Sequence, residues 1–238
     1  MNGLIALVGS GEYLPVMEAV DRFLLDHCGA MDRAPKVVCL PTAAGQEGVN
    51  SVDRWVTMGL EHFRTLGAQV QAARITNRAE ADDLRYAEML EQADLIYFSG
   101  GNPKYLYQTM LGSKAWEAAE KAWARSAVYA GCSAGAMILG RELPDLRSGT
   151  DRGTAFGKIP ARYIIPHFDR WQFLRPVMMP FLKSGSRDGK FSLGIDENTA
   201  LVGRLAGGWQ VMGAGKVHVI TRKQVKSYST GETVLFPV

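Results

Sequence analysis

The chain is poor in the residues on which several function classes depend. It carries three cysteines, Cys28, Cys39 and Cys132, in 238 residues. Their odd number and irregular spacing suit neither a disulfide framework nor a zinc site, so a reduced, cytoplasmic setting is expected. No apolar run approaches the ~20 residues that span a bilayer. The opening MNGLIALV lacks the positive flank and cleavage site of a secretory signal and reads as a strand, so no membrane partner is expected. Charge of one sign is also missing: 27 basic residues against 24 acidic ones leave a net +3 with no basic run, too little to argue for nucleic acid. There is no internal repeat, low-complexity tract or Pro/Ser-rich linker. Residues 1–238 are therefore read as one domain, long enough to bury a sizeable core.

What is present is an alternation of short apolar runs with helical patterns. Leu4 to Val8, Val37 to Leu40, Val70 to Ile75, Leu95 to Phe98 and Ala127 to Ala130 read as strands. The stretches Leu14 to Leu25, Ser51 to Leu66, Ala79 to Gln92 and Ser113 to Ala124 read as helices with apolar stripes. Short, non-alternating strands separated by helices predict a mostly parallel sheet covered by helices on both faces, a three-layer α/β sandwich. Beyond about residue 190, Leu193 to Ile195, Ala200 to Val202, Trp209 to Met212, Val217 to Ile220 and Thr233 to Phe236 predict small antiparallel strands extending or flanking that sheet. Functional groups in such sheets sit on loops at the carboxyl ends of the strands. Three such loops are glycine-rich or polar: Gly9-Ser10-Gly11-Glu12, Ser99-Gly100-Gly101-Asn102 and Gly131-Cys132-Ser133. The first lacks the third glycine of a dinucleotide fingerprint and reads as a loop lining the pocket.

Gly131-Cys132-Ser133-Ala134-Gly135 has the spacing of a nucleophile elbow, with a strand before it and helix-forming residues after it. An abrupt strand-to-helix turn strains its central residue and projects that side chain outward, while small neighbours let strand and helix pass closely. Ser133 holds the central position. Cys132, one residue earlier, should point back into the core and react slowly with alkylating agents. The helix start offers unpaired N–H groups to a developing oxyanion.

A serine nucleophile needs a base, and the chain has four histidines. His27 and His62 fall in predicted helices, as surface or packing residues, and His218 alternates with apolar neighbours as a strand residue facing solvent or a partner. His167 follows Ile164-Ile165-Pro166, a strand stopped by proline, and so takes the loop placement a base requires. A carboxylate should orient it. Asp145, Asp151, Asp169 and the pair Asp196-Glu197 are candidates, and spacing does not choose between them.

Four segments in order, YFSGGNPKYLYQ (97–108), GCSAGAM (131–137), PHF (166–168) and GIDENTAL (194–201), resemble the serine peptidases that include aspartyl dipeptidase (dipeptidase E) and cyanophycinase. That resemblance covers most of the chain and implies an α/β fold similar to class I glutamine amidotransferases, with serine replacing their cysteine. It implies Ser133 as nucleophile, His167 as base and Glu197 as the acid, with Asp151 as the alternative acid. It also implies Gly100 and Gly101 as the oxyanion loop, with the N–H of Ala134 as a further donor. Aspartyl dipeptidases remove an amino-terminal aspartate, and cyanophycinase cuts a β-aspartyl-arginine polymer. Cyanophycinase carries a glutamine after its glycine pair where this chain has Asn102-Pro103-Lys104, a departure that weakens that reading. An acidic substrate group would call for a cation. Arg170, Arg175 and Lys104 are the candidates, with Asn102 beside them as a substrate-binding residue.

The expectation is thus a serine-type peptidase acting on small peptides with an aspartyl residue at the cleaved bond, requiring no metal or organic cofactor. A homodimer stands open as its assembly. The rivals are a cyanophycinase-like, amidase or esterase activity on the same elbow, and a binding protein that kept the fold without turnover.

Overall fold

The computed structural model describes residues 3–144, 153–184 and 191–237. Its first half is a run of crossovers: β1 (Ile5–Val8), α1 (Glu18–Asp26), β2 (Lys36–Leu40), α2 (Val49–Thr65), β3 (Gln69–Ala72), α3 (Arg78–Ala81), α4 (Leu84–Glu91), β4 (Leu95–Phe98), α5 (Pro103–Met110), α6 (Lys114–Ala124) and β5 (Val128–Cys132). The one-turn α7 (Ala134–Met137) leads to a short pair, β6 (Glu142–Leu143) and β7 (Gly153–Thr154). Next come β8 (Ile164–Ile165), α8 (Arg175–Ser184), β9 (Ser192–Ile195), β10 (Thr199–Gly203), β11 (Trp209–Gly213), β12 (Lys216–Ile220), β13 (Val225–Ser229) and β14 (Thr233–Val234).

The main sheet runs β14-β11-β10-β1-β5-β4-β2-β3. Strands β1, β5, β4, β2 and β3 pair in parallel, and β10, β11 and β14 extend the sheet antiparallel beyond β1. The apolar runs do not alternate because each strand feeds two cores. Ile5, Leu7, Val38, Leu40, Ile96 and Phe98 face one side, where they meet Leu90, Trp116 and Trp123 of α4 and α6. Ala6, Val8, Val37, Cys39, Leu95 and Tyr97 face the other, against Val20 and Leu24 of α1 and Phe63 of α2. A second sheet, β13-β12-β9-β8, is mostly antiparallel. Among the described residues no helix is long and apolar enough to cross a membrane.

Local chemistry revises several expected boundaries. The helix expected over 79–92 is two helices: Asn77 caps α3 through Glu80 N–H, and Asp83 caps α4 through Arg85 N–H. A cap in the middle of a helical pattern starts a new helix. The expected strand from Val70 to Ile75 ends at Ala72. Helix α5 was absent from the sequence reading, although Asn102 accepts from Tyr105 N–H and Pro103 occupies the first turn. Strand β13, VKSYS, escaped because all but Tyr228 of its side chains are exposed. His218 does not face solvent; it is 7% exposed, between Asp196 and Ser227.

Trp123 ties α6 to the start of β1: its indole is buried and Nε1 donates to Gly3 O at 3.1 Å. Trp123→Ala should cost about 3–5 kcal/mol, read as a lower urea midpoint at unchanged m.

Candidate active site

Strands β1, β5 and β4 are neighbours with Val8 opposite Cys132 and Phe98 opposite Gly131, so the three polar loops emerge at one edge. Ser133 sits where β5 turns into α7, at φ 48° and ψ −107°. A non-glycine residue there costs on the order of 1–3 kcal/mol and persists only when its surroundings hold it. They do so here. Ser133 N–H donates to Val8 O at 2.9 Å, and its own carbonyl accepts from Ala136 and Met137. The flanking glycines cannot be larger: a Cβ on Gly131 would lie 2.4 Å from the Gly135 carbonyl, and one on Gly135 would lie 2.6 Å from Phe98 O.

His167 follows β8 and Pro166, also at positive φ, 51°. Its Nε2 lies 3.2 Å from Ser133 Oγ and its Nδ1 2.9 Å from Glu197 Oε1. A carboxylate only accepts, so Nδ1 donates to it; in the neutral tautomer with that proton, Nε2 is left to accept from the serine. Glu197 lies in the turn between β9 and β10. Its other oxygen accepts from Arg170 Nε at 2.8 Å, and its backbone N–H donates to Asp169 Oδ1 at 2.9 Å. The hydrogen bond from His167, then that from Arg170, holds the Glu197 carboxyl below its ordinary range. The neighbouring Asp196 accepts from Lys216 N–H and meets His218 Nε2 at 3.1 Å, while His218 Nδ1 meets Ser227 Oγ at 2.8 Å. The turn bearing Glu197 is therefore braced on both sides.

Ser133 and His167 open into a cavity of about 700 Å³, also lined by Gly101, Asn102, Lys104 and Trp171. In the loop after β4, Ser99 N–H donates to Leu40 O, Gly100 N–H to Glu12 Oε1 and Asn102 N–H to Ala43 O. Among the described residues, the N–H groups of Gly101 and Ala134 meet no acceptor. Among the described residues, no group of three His, Cys, Asp or Glu side chains is placed to hold a metal ion.

Residues 4–205 match the model of peptidase family S51. The chain belongs to that family. It is a serine-type peptidase, a hydrolase. A cyanophycinase of Synechococcus elongatus is 25% identical over 235 residues, covering 94% of this chain and 70% of that protein. One from Geminocystis herdmanii (strain PCC 6308) is 23% identical over 239 residues, covering 96% and 83%. The crystal structure of a peptidase from an acI-B1 Actinobacterium is similar at 34% identity and TM-score 0.89, covering 99% of this chain and 98% of that one. A putative peptidase E protein from Listeria monocytogenes EGD-e shares the fold at TM-score 0.66 and 18% identity, covering 90% and 100%.

The peptidase thus brings Ser133, His167 and Glu197 into one hydrogen-bonded line, with Gly100, Gly101 and Ala134 beside it. Gly100 does not present its N–H to the cavity, because Glu12 holds it. Arg170 is directed to Glu197 and is not among the cavity's lining residues; 73% of its side chain is exposed. Asp169 serves Glu197's backbone and Asp196 serves His218. Asp145, Asp151 and the Arg175 side chain lie outside the described residues. The sequence reading missed Glu12 and the brace formed by Asp169. The one legible signal for Glu12 was a carboxylate inside the glycine-rich loop after the first strand.

Burial pushes the Cys132 thiol well up, and the Glu12 carboxylate, which accepts from Cys132 Sγ at 2.8 Å, adds to the shift. Burial also raises Cys28, and pushes Cys39 up to about 12. In the native peptidase none of the three should react with an aromatic disulfide reagent at pH 8, and all three should react in denaturant. Glu197 gives a second expectation. A lowered carboxyl contributes stability that is complete above its unfolded value, about 4.3, and is lost as pH falls through the folded value. The stability of wild type relative to Glu197→Gln should therefore fall as pH drops below about 4.3 and through the folded value, measured by thermal melts across the acid range.

Proposed function

We propose that the chain hydrolyses small peptides through a Ser133-His167-Glu197 arrangement, with an aspartyl residue at the cleaved bond. The observation that carries this reading is the line of contacts from Ser133 Oγ to His167 Nε2 at 3.2 Å and from His167 Nδ1 to Glu197 Oε1 at 2.9 Å. In the first step Oγ bonds to the scissile carbonyl carbon while its proton passes to Nε2, and Glu197 stabilises the resulting imidazolium. The carbonyl oxygen, now an anion, takes the N–H groups of Gly101 and Ala134. The tetrahedral species collapses as the C–N bond breaks, and His167 delivers its proton to the departing amine. Water then attacks the serine ester, with His167 accepting its proton, and the acid leaves as Ser133 regains its hydrogen.

For the substrate carboxylate we propose Lys104 and Asn102, polar residues that line the cavity just after the glycine loop. Arg170 is set aside, since it is not among the residues lining the cavity. The relatives named cyanophycinase support an aspartyl group at the bond without deciding its linkage. We further read residues 1–238 as one domain, supported by β11 and β14, which lie beyond the matched residues yet extend the same sheet. Three buried, unpaired thiols support a reducing, cytoplasmic setting.

Ser133→Ala should lower kcat on an Asp-X dipeptide by on the order of 10,000-fold or more while the melting temperature stays within a few degrees. Full activity in that variant would end the nucleophile assignment. A panel of Asp-X dipeptides, β-aspartyl peptides and a nitrophenyl ester, assayed with wild type, separates the peptidase reading from the isopeptidase and esterase ones.

A further inference from the structure

Glu12 is 7% exposed, in the loop after β1, and the steps above leave it without a task. Its carboxylate bridges the two loops on which the reaction would depend. Oε1 accepts from Gly100 N–H at 2.9 Å, and Oε2 accepts from Cys132 Sγ at 2.8 Å, one residue before Ser133. Burying a carboxylate is costly unless donors surround it, so a site that retains one between two loop ends has a use for its reach.

The use follows from the loop itself. A Gly-Gly pair is the most freely rotating dipeptide a chain can hold, and Gly101 sits at φ 139°. The preceding peptide is tied by Gly100 N–H to Glu12, and the following one by Asn102 N–H to Ala43 O. Pro103 has no N–H. Clamped on both sides, the middle peptide leaves the N–H of Gly101 as the loop's one donor free to meet a ligand, and Gly101 lines the cavity. The loop also lies against the nucleophile: a Cβ on Gly100 would be 3.3 Å from Ser133 Cβ and 3.8 Å from its Oγ. Without the Glu12 bond, Gly100 could turn its own N–H outward and rotate that of Gly101 away.

We infer that Glu12 is the positioning residue of the oxyanion donors: it holds Gly100 inward so that Gly101 faces the substrate, and through Cys132 it seats the turn that carries Ser133 and Ala134. This rests on the assignment of Ser133, Gly101 and Ala134 proposed above. Any acyl substrate would feel it, whatever its side chain.

The test uses nitrophenyl acetate, whose hydrolysis needs no side-chain recognition, with phenylboronic acid as a tetrahedral mimic. Glu12→Ala should lose about 100-fold in kcat with KM changed less than about threefold, because misplacing a donor acts on the transition state. Phenylboronic acid should bind it more weakly in the same proportion. Glu12→Gln keeps an oxygen for Gly100 and should recover kcat to within about fivefold of wild type, since a neutral acceptor still makes the bond. Glu12→Asp keeps the charge but not the reach and should lose at least about tenfold by the same misplacement. It carries the comparison if the alanine variant does not fold. Wild-type kcat in folded Glu12→Ala or Glu12→Asp would overturn the inference, as would a loss confined to KM, or a glutamine variant as slow as the alanine one. With Ser133→Ala inactive and the Glu12 variants unaffected, this inference alone fails; with Ser133→Ala active, the reading beneath it fails first.

Discussion

The site depends on one strained residue. Ser133 occupies a backbone conformation that no serine adopts freely, and it stays there because β5 must turn into α7 within the space left by Gly131, Gly135 and Phe98. The parallel pairing of β1 with β5 supplies the restraint, since Val8 O takes the Ser133 N–H at the register where both strands end. The sheet is thus more than a platform. Its last backbone hydrogen bond at that edge is the one that sets the angle of Ser133.

Around that residue, carboxylates act in pairs with distinct partners. Glu197 meets the imidazole while Asp169 holds Glu197's own backbone. Asp196 turns the other way, to His218 and the Lys216 backbone. Glu12 meets neither histidine and accepts from Gly100 N–H and Cys132 Sγ. Each acid has a different set of donors, and that difference separates their roles where composition cannot. Arg170, three residues after His167 in sequence, meets the other oxygen of Glu197.

Much of the architecture was legible in the chain because the central strands are buried on both faces. That produces the continuous apolar runs of Ile5–Val8 and Leu95–Phe98, and the polar loops then fall at one edge by topology alone. The elbow was legible because its constraint is local, five consecutive residues. What escaped was of two kinds. Helix α5 and strand β13 carry mixed or exposed faces that give weak periodicity, although Asn102-Pro103 held a cap in plain view. The partners of the acids escaped for a different reason. Glu12 and Cys132 stand 120 residues apart, and Glu197 and His167 thirty, so only the folded sheet brings them together. Spacing could name Glu197 among several carboxylates but could not rank it above them.

The Ser227-His218-Asp196 set repeats the serine, histidine and carboxylate of the Ser133-His167-Glu197 line on a different backbone. Its contacts, 2.8 and 3.1 Å, are as short as those joining Ser133, His167 and Glu197. Yet Ser227 is the direct cross-strand partner of His218 in an ordinary antiparallel ladder, with relaxed backbone. Two copies of the same side-chain alphabet therefore coexist in one molecule about a shared turn, Asp196 serving one and Glu197 the other. A search by side-chain distances alone would return both; the torsion angles of the main chain tell them apart.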